Sequence, residues 1–177
     1  MTQAANLGAL GTNVNSSGAL TASTLTGTLG YANLPAGSVL QVVSSVYSTS
    51  TSTTNTAASP VATGLTATIT PKFASSKVLV LISHSQNYKP SGFPYADIAF
   101  WLFKNGSSLI KYAIDLGYTG SSLDLFFASN FNYLDSPATT SATTYSTYFA
   151  NANSGGGSVI VQSENTPATI ILMEIAA

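Results

Sequence analysis

A chain of 177 residues with five lysines, six carboxylates, one histidine and no arginine or cysteine suits one domain plus an extension. Charged residues make up 6% of it, against roughly 25% in an average soluble domain, and the net charge of -1 leaves no basic face for nucleic acid or an anionic membrane surface. Without cysteine neither disulfides nor thiolate metal sites are available, and no apolar run approaches the roughly 20 residues that insert across a bilayer.

The first charged side chain is Lys72, and the stretch before it is filled mainly with Thr, Ser, Ala, Gly and scattered aliphatics. Residues 1–36 form the first block, with Gly-Ala-Leu at Gly8-Ala9-Leu10 and again at Gly18-Ala19-Leu20. Its apolar positions Leu7, Leu10, Val14, Leu20, Leu25, Leu29 and Leu34 fit no sustained helical period, and recurring Gly and β-branched Thr oppose a helix. An extended anchoring arm laid on partner chains is the expectation, with plain disorder as the alternative. Pro35 and Gly37 mark the junction to a second block, residues 37–177.

In that block Ser38–Tyr47 reads as a Val-rich strand, Ser48–Ser59 as a Ser/Thr surface loop, and Leu65–Thr70 as an alternating, half-buried strand. Lys77–Ser85 and Asp97–Lys104 contain the continuous apolar runs Val78–Ile82 and Ile98–Phe103. Asn105-Gly106 follows at once and predicts a tight hairpin whose return strand is Ser107–Ile114. Leu123–Leu134, Thr143–Asn151, Ser158–Ser163 and Ala168–Ala177 complete about nine strands, with Gly155-Gly156-Gly157 as a flexible turn. Short strands at this spacing, with no credible helix, predict an all-β, antiparallel, jelly-roll-like sandwich.

Three of these strands do not alternate. A strand with one face in a core and one in water should do so, so the runs around Val78, Val80, Phe100, Trp101, Phe103, Ile171, Met173 and Ile175 point to a core plus a second covered surface. With no helix in the chain, the expected cover is another subunit. Long loops of the same chain are the alternative.

Catalytic chemistry finds little support. His84 is the only histidine, no nucleophile elbow accompanies the many serines, and one histidine without cysteine excludes the common zinc patterns. The carboxylates Asp97, Asp115, Asp124, Asp135, Glu164 and Glu174 are isolated in sequence. Nothing in the spacing of Asp115 and Asp124 requires them to converge in space, and Glu174 could pair with Lys77 or Lys111. No calcium loop or phosphate loop occurs, so the expectation is a non-enzyme without cofactor or metal. Tyr88, Phe93, Tyr95 and Tyr118 fall in expected loops and are candidate receptor contacts, because tyrosine offers a stacking face and a hydroxyl. Packing over the sandwich ends or into the subunit interface is the favoured alternative.

The segment Leu34-Pro35-Ala36-Gly37-Ser38-Val39-Leu40-Gln41-Val42-Val43 resembles the start of small β-domains in tail-fibre and virion proteins of bacteriophages, notably marine and cyanobacterial ones. Ile69-Thr70-Pro71-Lys72 with Ser75-Ser76-Lys77-Val78 resembles a turn of those domains, Phe100–Gly106 their hairpin, and Ile170–Ile175 their closing strand. The resemblance covers residues 34–177. It implies a homotrimeric jelly roll on the outside of a virion, made in the host cytoplasm without a signal peptide and attached to other virion proteins through residues 1–36. A trimeric fibre or appendage is the leading reading. A capsid decoration protein and a lectin-like module binding a host glycan or protein are the alternatives.

Overall fold

The computed structural model describes residues 30–153 and 157–177. The chain divides into two units, Met1–Leu34 and Pro35–Ala177. In the first, the described part is a short 3-10 turn at Tyr31–Asn33. The arm positions Leu7, Leu10, Val14, Leu20, Leu25 and Leu29, and Gly155-Gly156 of the glycine turn, lie outside the described residues.

The second unit is all-β, with β1 (Val39–Tyr47), β2 (Thr51–Thr53), β3 (Val61–Ile69), β4 (Lys77–Lys89), β5 (Ile98–Lys104), β6 (Ser107–Leu116), β7 (Leu125–Asp135), β8 (Thr143–Asn151), β9 (Val159–Val161) and β10 (Ala168–Ile175). No α-helix occurs among the described residues. Two elements depart from the sequence reading. The expected Ser/Thr loop contains β2, because its β-branched threonines can pair with β9. The third apolar strand runs four residues past Ser85, because a bulge between His84 and Asn87 lets β4 exchange β10 for β9 as its partner on one side while keeping β7 on the other. Tyr88 therefore sits on a strand.

The pairings nest: β1 with β10, β3 with β8, β4 with β7, and β5 with β6, all antiparallel. The chain is in effect one long hairpin, folded at Asn105-Gly106 and rolled into two sheets, β1–β10–β4–β7 and β3–β8–β5–β6, with β9 and β2 extending the first. That nesting is the jelly roll. Asn105 and Gly106 take φ of 50° and 80°, the left-handed pair a tight hairpin needs.

Between the sheets, Leu65, Ile69, Val78, Val80, Ile82, Leu102, Tyr145, Ile170 and Leu172 form the main core, and Ile98, Phe100, Phe149, Val159 and Val161 a second cluster. Along β4 and β10 burial alternates, so these strands do have one inner and one outer face. The outer face of β5 is a correction to the expected intersubunit cover. Trp101 and Ala99 are buried by their own chain, against Ala57 of the Ser/Thr segment, Ala150, Ala152, Phe103 and Tyr148. Lys111 lies 5.1 Å from the Trp101 ring centre.

Three segments singled out in the sequence meet at one carboxylate. Glu174 is buried on β10; its Oε2 accepts from Gln41 Nε2 at 2.6 Å and its Oε1 from the Lys72 amide at 2.7 Å. Gln41 Nε2 also donates to the Thr70 carbonyl. Glu174 thus pairs with neither Lys77 nor Lys111 but with neutral donors of the Ile69–Lys72 turn and β1. Burial pushes its pKa up, and the donors around it (Ser76, Gln41 and the Lys72 and Phe73 amides) more than reverse that, holding it below the ordinary value. Gly64 is a second tight point: its φ is 91°, and a Cβ there would stand 2.2 Å from the Tyr47 ring.

Replacing Glu174 with Ala removes the acceptor of part-buried donors on both β1 and the turn, so chemical denaturation should show a loss of roughly 1–3 kcal/mol. Gly64→Ala must both adopt positive φ and displace a ring. A loss of roughly 3 kcal/mol is expected in the same assay, with a native circular dichroism spectrum at low temperature.

Candidate functional site

The larger sheet leaves an apolar outer face. In register, Val42, Met173, Leu79 and Leu134 form one cross-strand row, and Ser44, Ile171, Leu81 and Asn132 the next, since opposed residues of antiparallel strands share a face. Val42 and Leu134 are each more than half exposed, as is Val46 two residues further along β1. Ile171 and Met173 are half-buried here, as is Ile175, which pairs with Lys77 at one end of these rows. Val78, Val80 and Phe100 face the core instead, and Trp101 and Phe103 lie under the chain's own loop.

The four aromatics named as candidate contacts have separate surroundings. Tyr88 stacks on Phe126 at 4.5 Å on that outer face, and its hydroxyl donates to Asp124 at 2.7 Å. Phe93, in the β4–β5 connection, packs against Gly157, and Tyr95 in the same connection is exposed. Tyr118 is half-exposed and lines a pocket.

That pocket occupies the end of the smaller sheet where β5 begins and β6 and β8 finish, Ile98 pairing with both Leu116 and Asn151. Asp97 immediately precedes β5, its carbonyl accepting from the Ala152 amide at 3.1 Å. On the neighbouring strand, Ile98 opposes Leu116 whereas Phe100 opposes Ala113, so β6 carries one residue more than β5. Asp115 lies in this bulge with φ of 58°, a conformation that re-aims a side chain at a strand end. The result is a pocket of about 250 Å³ lined by Asp97, Asp115, Tyr118 and Asn153.

Asp97 is fully buried and neither of its carboxylate oxygens has a hydrogen-bond partner. Burial, and then the adjacent Asp115 carboxylate, push its pKa up to about 6. The pair considered from sequence, Asp115 with Asp124, is not the one that forms. Asp124 accepts from Tyr88 and from the Ser91 amide. A signal for Asp97–Asp115 was present: counting back from the Asn105-Gly106 turn places Asp97 opposite Ile114, one residue away, and the bulges supply the rest.

Two other polar groups are buried, and the sequence reading did not single out the first. Lys89 is buried with its ammonium on Thr119 Oγ1 and the Ser121 carbonyl at 2.8 and 2.9 Å, tying the β6–β7 connection to β4. His84 lies on the inner face of β4, stacked on Phe100 at 4.8 Å, with Nδ1 3.1 Å from Gln162 Nε2. Burial lowers its pKa to about 4. Neither a nucleophile nor a carboxylate is among its described partners.

No protein-family model matches the chain, and no curated protein does. Among solved structures it is similar to a mutant VP2 protein of infectious bursal disease virus, from derived T=1 particles, at 11% identity and a TM-score of 0.37. The match covers 86% of this chain and 41% of the VP2 chain, so the present chain spans about two fifths of that protein's length. A likeness of this size does not bear on function. No helix among the described residues is long and apolar enough to cross a membrane.

The two pKa shifts give opposite pH responses. Asp97 binds its proton more tightly folded than unfolded, so its contribution is present below its ordinary value of 3.8 and is lost as pH rises through about 6. His84 binds its proton less tightly folded, so its contribution is present above 6.5 and is lost as pH falls towards about 4. Asp97→Asn should therefore be more stable than the parent near pH 7 and show a steeper loss between pH 6.5 and 4, read as melting temperature against pH.

Proposed function

We propose that the protein is a non-enzymatic structural subunit of a bacteriophage virion, a short homotrimeric fibre or appendage joined to other virion proteins through residues 1–36. The observation that carries this reading is the pair of rows on the outer face of β1, β10, β4 and β7, where Val42, Leu79, Ile171, Met173 and Leu134 present aliphatic surface to the outside. Full coverage of an aliphatic side chain contributes about 1.5–3 kcal/mol, so a few such contacts per copy stabilise a permanent oligomer. A closed cyclic assembly covers the face on every copy, and three copies follow from the resemblance of residues 34–177 to phage tail-fibre domains.

Sparse charge supports the same reading. Four of the eleven ionic side chains, Lys89, Asp97, Asp135 and Glu174, are buried, which leaves a surface of hydroxyls, amides and aliphatics. Such a surface is better suited to permanent contacts than to a free monomer.

Sedimentation equilibrium at micromolar concentration should give three chain masses for the full protein. Val42→Lys combined with Leu134→Lys should give a single-chain species with an unchanged circular dichroism spectrum. A well-folded monomer in the parent protein overturns the reading. Removal of residues 1–36 should leave trimers that no longer join particles. Imaging of particles then separates a fibre, present in few copies, from a decoration protein in regular array. A glycan array with Tyr95→Ala and Tyr118→Ala variants tests receptor binding.

A further inference from the structure

We propose that Asp97 and Asp115, completed by the side-chain oxygen of Asn153 and by water, form a binding site for a divalent cation of the calcium class.

The argument begins with what faces what. Asp97 is fully buried, both of its oxygens lack donors, and it lines the pocket together with Asp115. Two ionised carboxylates offer only acceptors to one another, so their approach is stable when a proton or a positive centre lies between them. The chain provides no cationic side chain for that place among three of its five lysines. Lys89 is held by Thr119 and Ser121, Lys104 pairs with Asp135 at 2.9 Å, and Lys111 lies over Trp101.

The donor set is oxygen alone, carboxylates and an amide without histidine or thiolate, which selects a hard cation. A pocket of about 250 Å³ leaves room for several waters, each taking about 30 Å³, as calcium requires when the protein supplies few ligands. The ligands are held by the ends of three paired strands of one sheet. The bulge that turns Asp115 towards Asp97, at φ of 58°, is the kind of local device found beside functional sites. Two carboxylates predict a weak site, with a Kd of about 10⁻⁴–10⁻³ M. This inference does not rest on self-association; trimer and monomer alike contain the whole site.

The test uses the full chain, stripped with a chelator, and titrated with calcium by calorimetry and with terbium by luminescence. Tyr118 lines the pocket and should sensitise the lanthanide. Saturable binding, a raised melting temperature with calcium, and an affinity loss of about tenfold or more in both Asp97→Asn and Asp115→Asn are expected, with Glu164→Gln as the unaffected control. Asp115 is exposed, so its variant folds even if the Asp97 change disturbs the strand end. Absence of saturable binding to either ion at about ten times the expected Kd overturns the proposal. An isotherm unchanged in both aspartate variants does so too, and points to a proton as what the two carboxylates share.

Discussion

The contact on which the roll depends is the closure of its first strand against its last, with Glu174 as the fastening. β1 and β10 pair along their whole length, but β1 is an edge strand and gains nothing from a second neighbour in its sheet. Glu174 supplies the missing hold by taking one hydrogen bond from Gln41 on β1 and one from the Lys72 amide in the turn before β4. A buried carboxylate in an apolar strand would be costly alone. Surrounded by neutral donors, it fixes three segments far apart in sequence at a single point. The same logic explains why a Lys partner is unnecessary: peptide and amide N–H groups are shorter, need no long side chain ordered, and keep the seam free of a second charge.

Around an apolar core, some of the charge lies inside and some of the aliphatic surface outside. Lys89, Asp97, Asp135 and Glu174 lie inside, each but Asp97 satisfied by named partners, while Val39, Val42, Val46, Leu123, Phe126 and Leu134 lie outside. Asp135 accepts from Lys104 and from the Tyr145 hydroxyl on one oxygen, and this buried network pins β7 and β8 across the sandwich. Ionic groups here act as internal fasteners. Solubility falls to serine, threonine and asparagine, and the outer face of the larger sheet is left for a partner.

Sheet ends and sheet faces divide the work. The faces bury apolar side chains either internally or, in the proposed assembly, against another copy. At the end of the smaller sheet the strands stop together, the β5–β6 register slips, and Asp97 and Asp115 are forced into proximity that neither would adopt in an unconstrained chain. Opposed carboxylates cost stability unless a proton or a cation lies between them. The fold tolerates that cost because Asp97 immediately precedes a well-packed strand whose side chains Ile98 and Phe100 are anchored in the core.

The sequence by itself determined the local elements. β-Branched and aromatic runs set the strands, Asn105-Gly106 set the central hairpin, and the absence of any helical period set the class, because these signals act within a few residues. Tertiary structure alone decided which faces are covered. Val78–Ile82 and Ile98–Phe103 look alike as continuous apolar runs, yet the outer side of the second is closed by Ala57 and Ala152 while that of the first stays open. Burial of that kind depends on where a distant loop comes to rest. The Glu174 fastening and the Asp97–Asp115 pocket were out of reach for a related reason. Both join residues through bulges and long-range register, and a slip of one position along a strand turns a side chain to the opposite face.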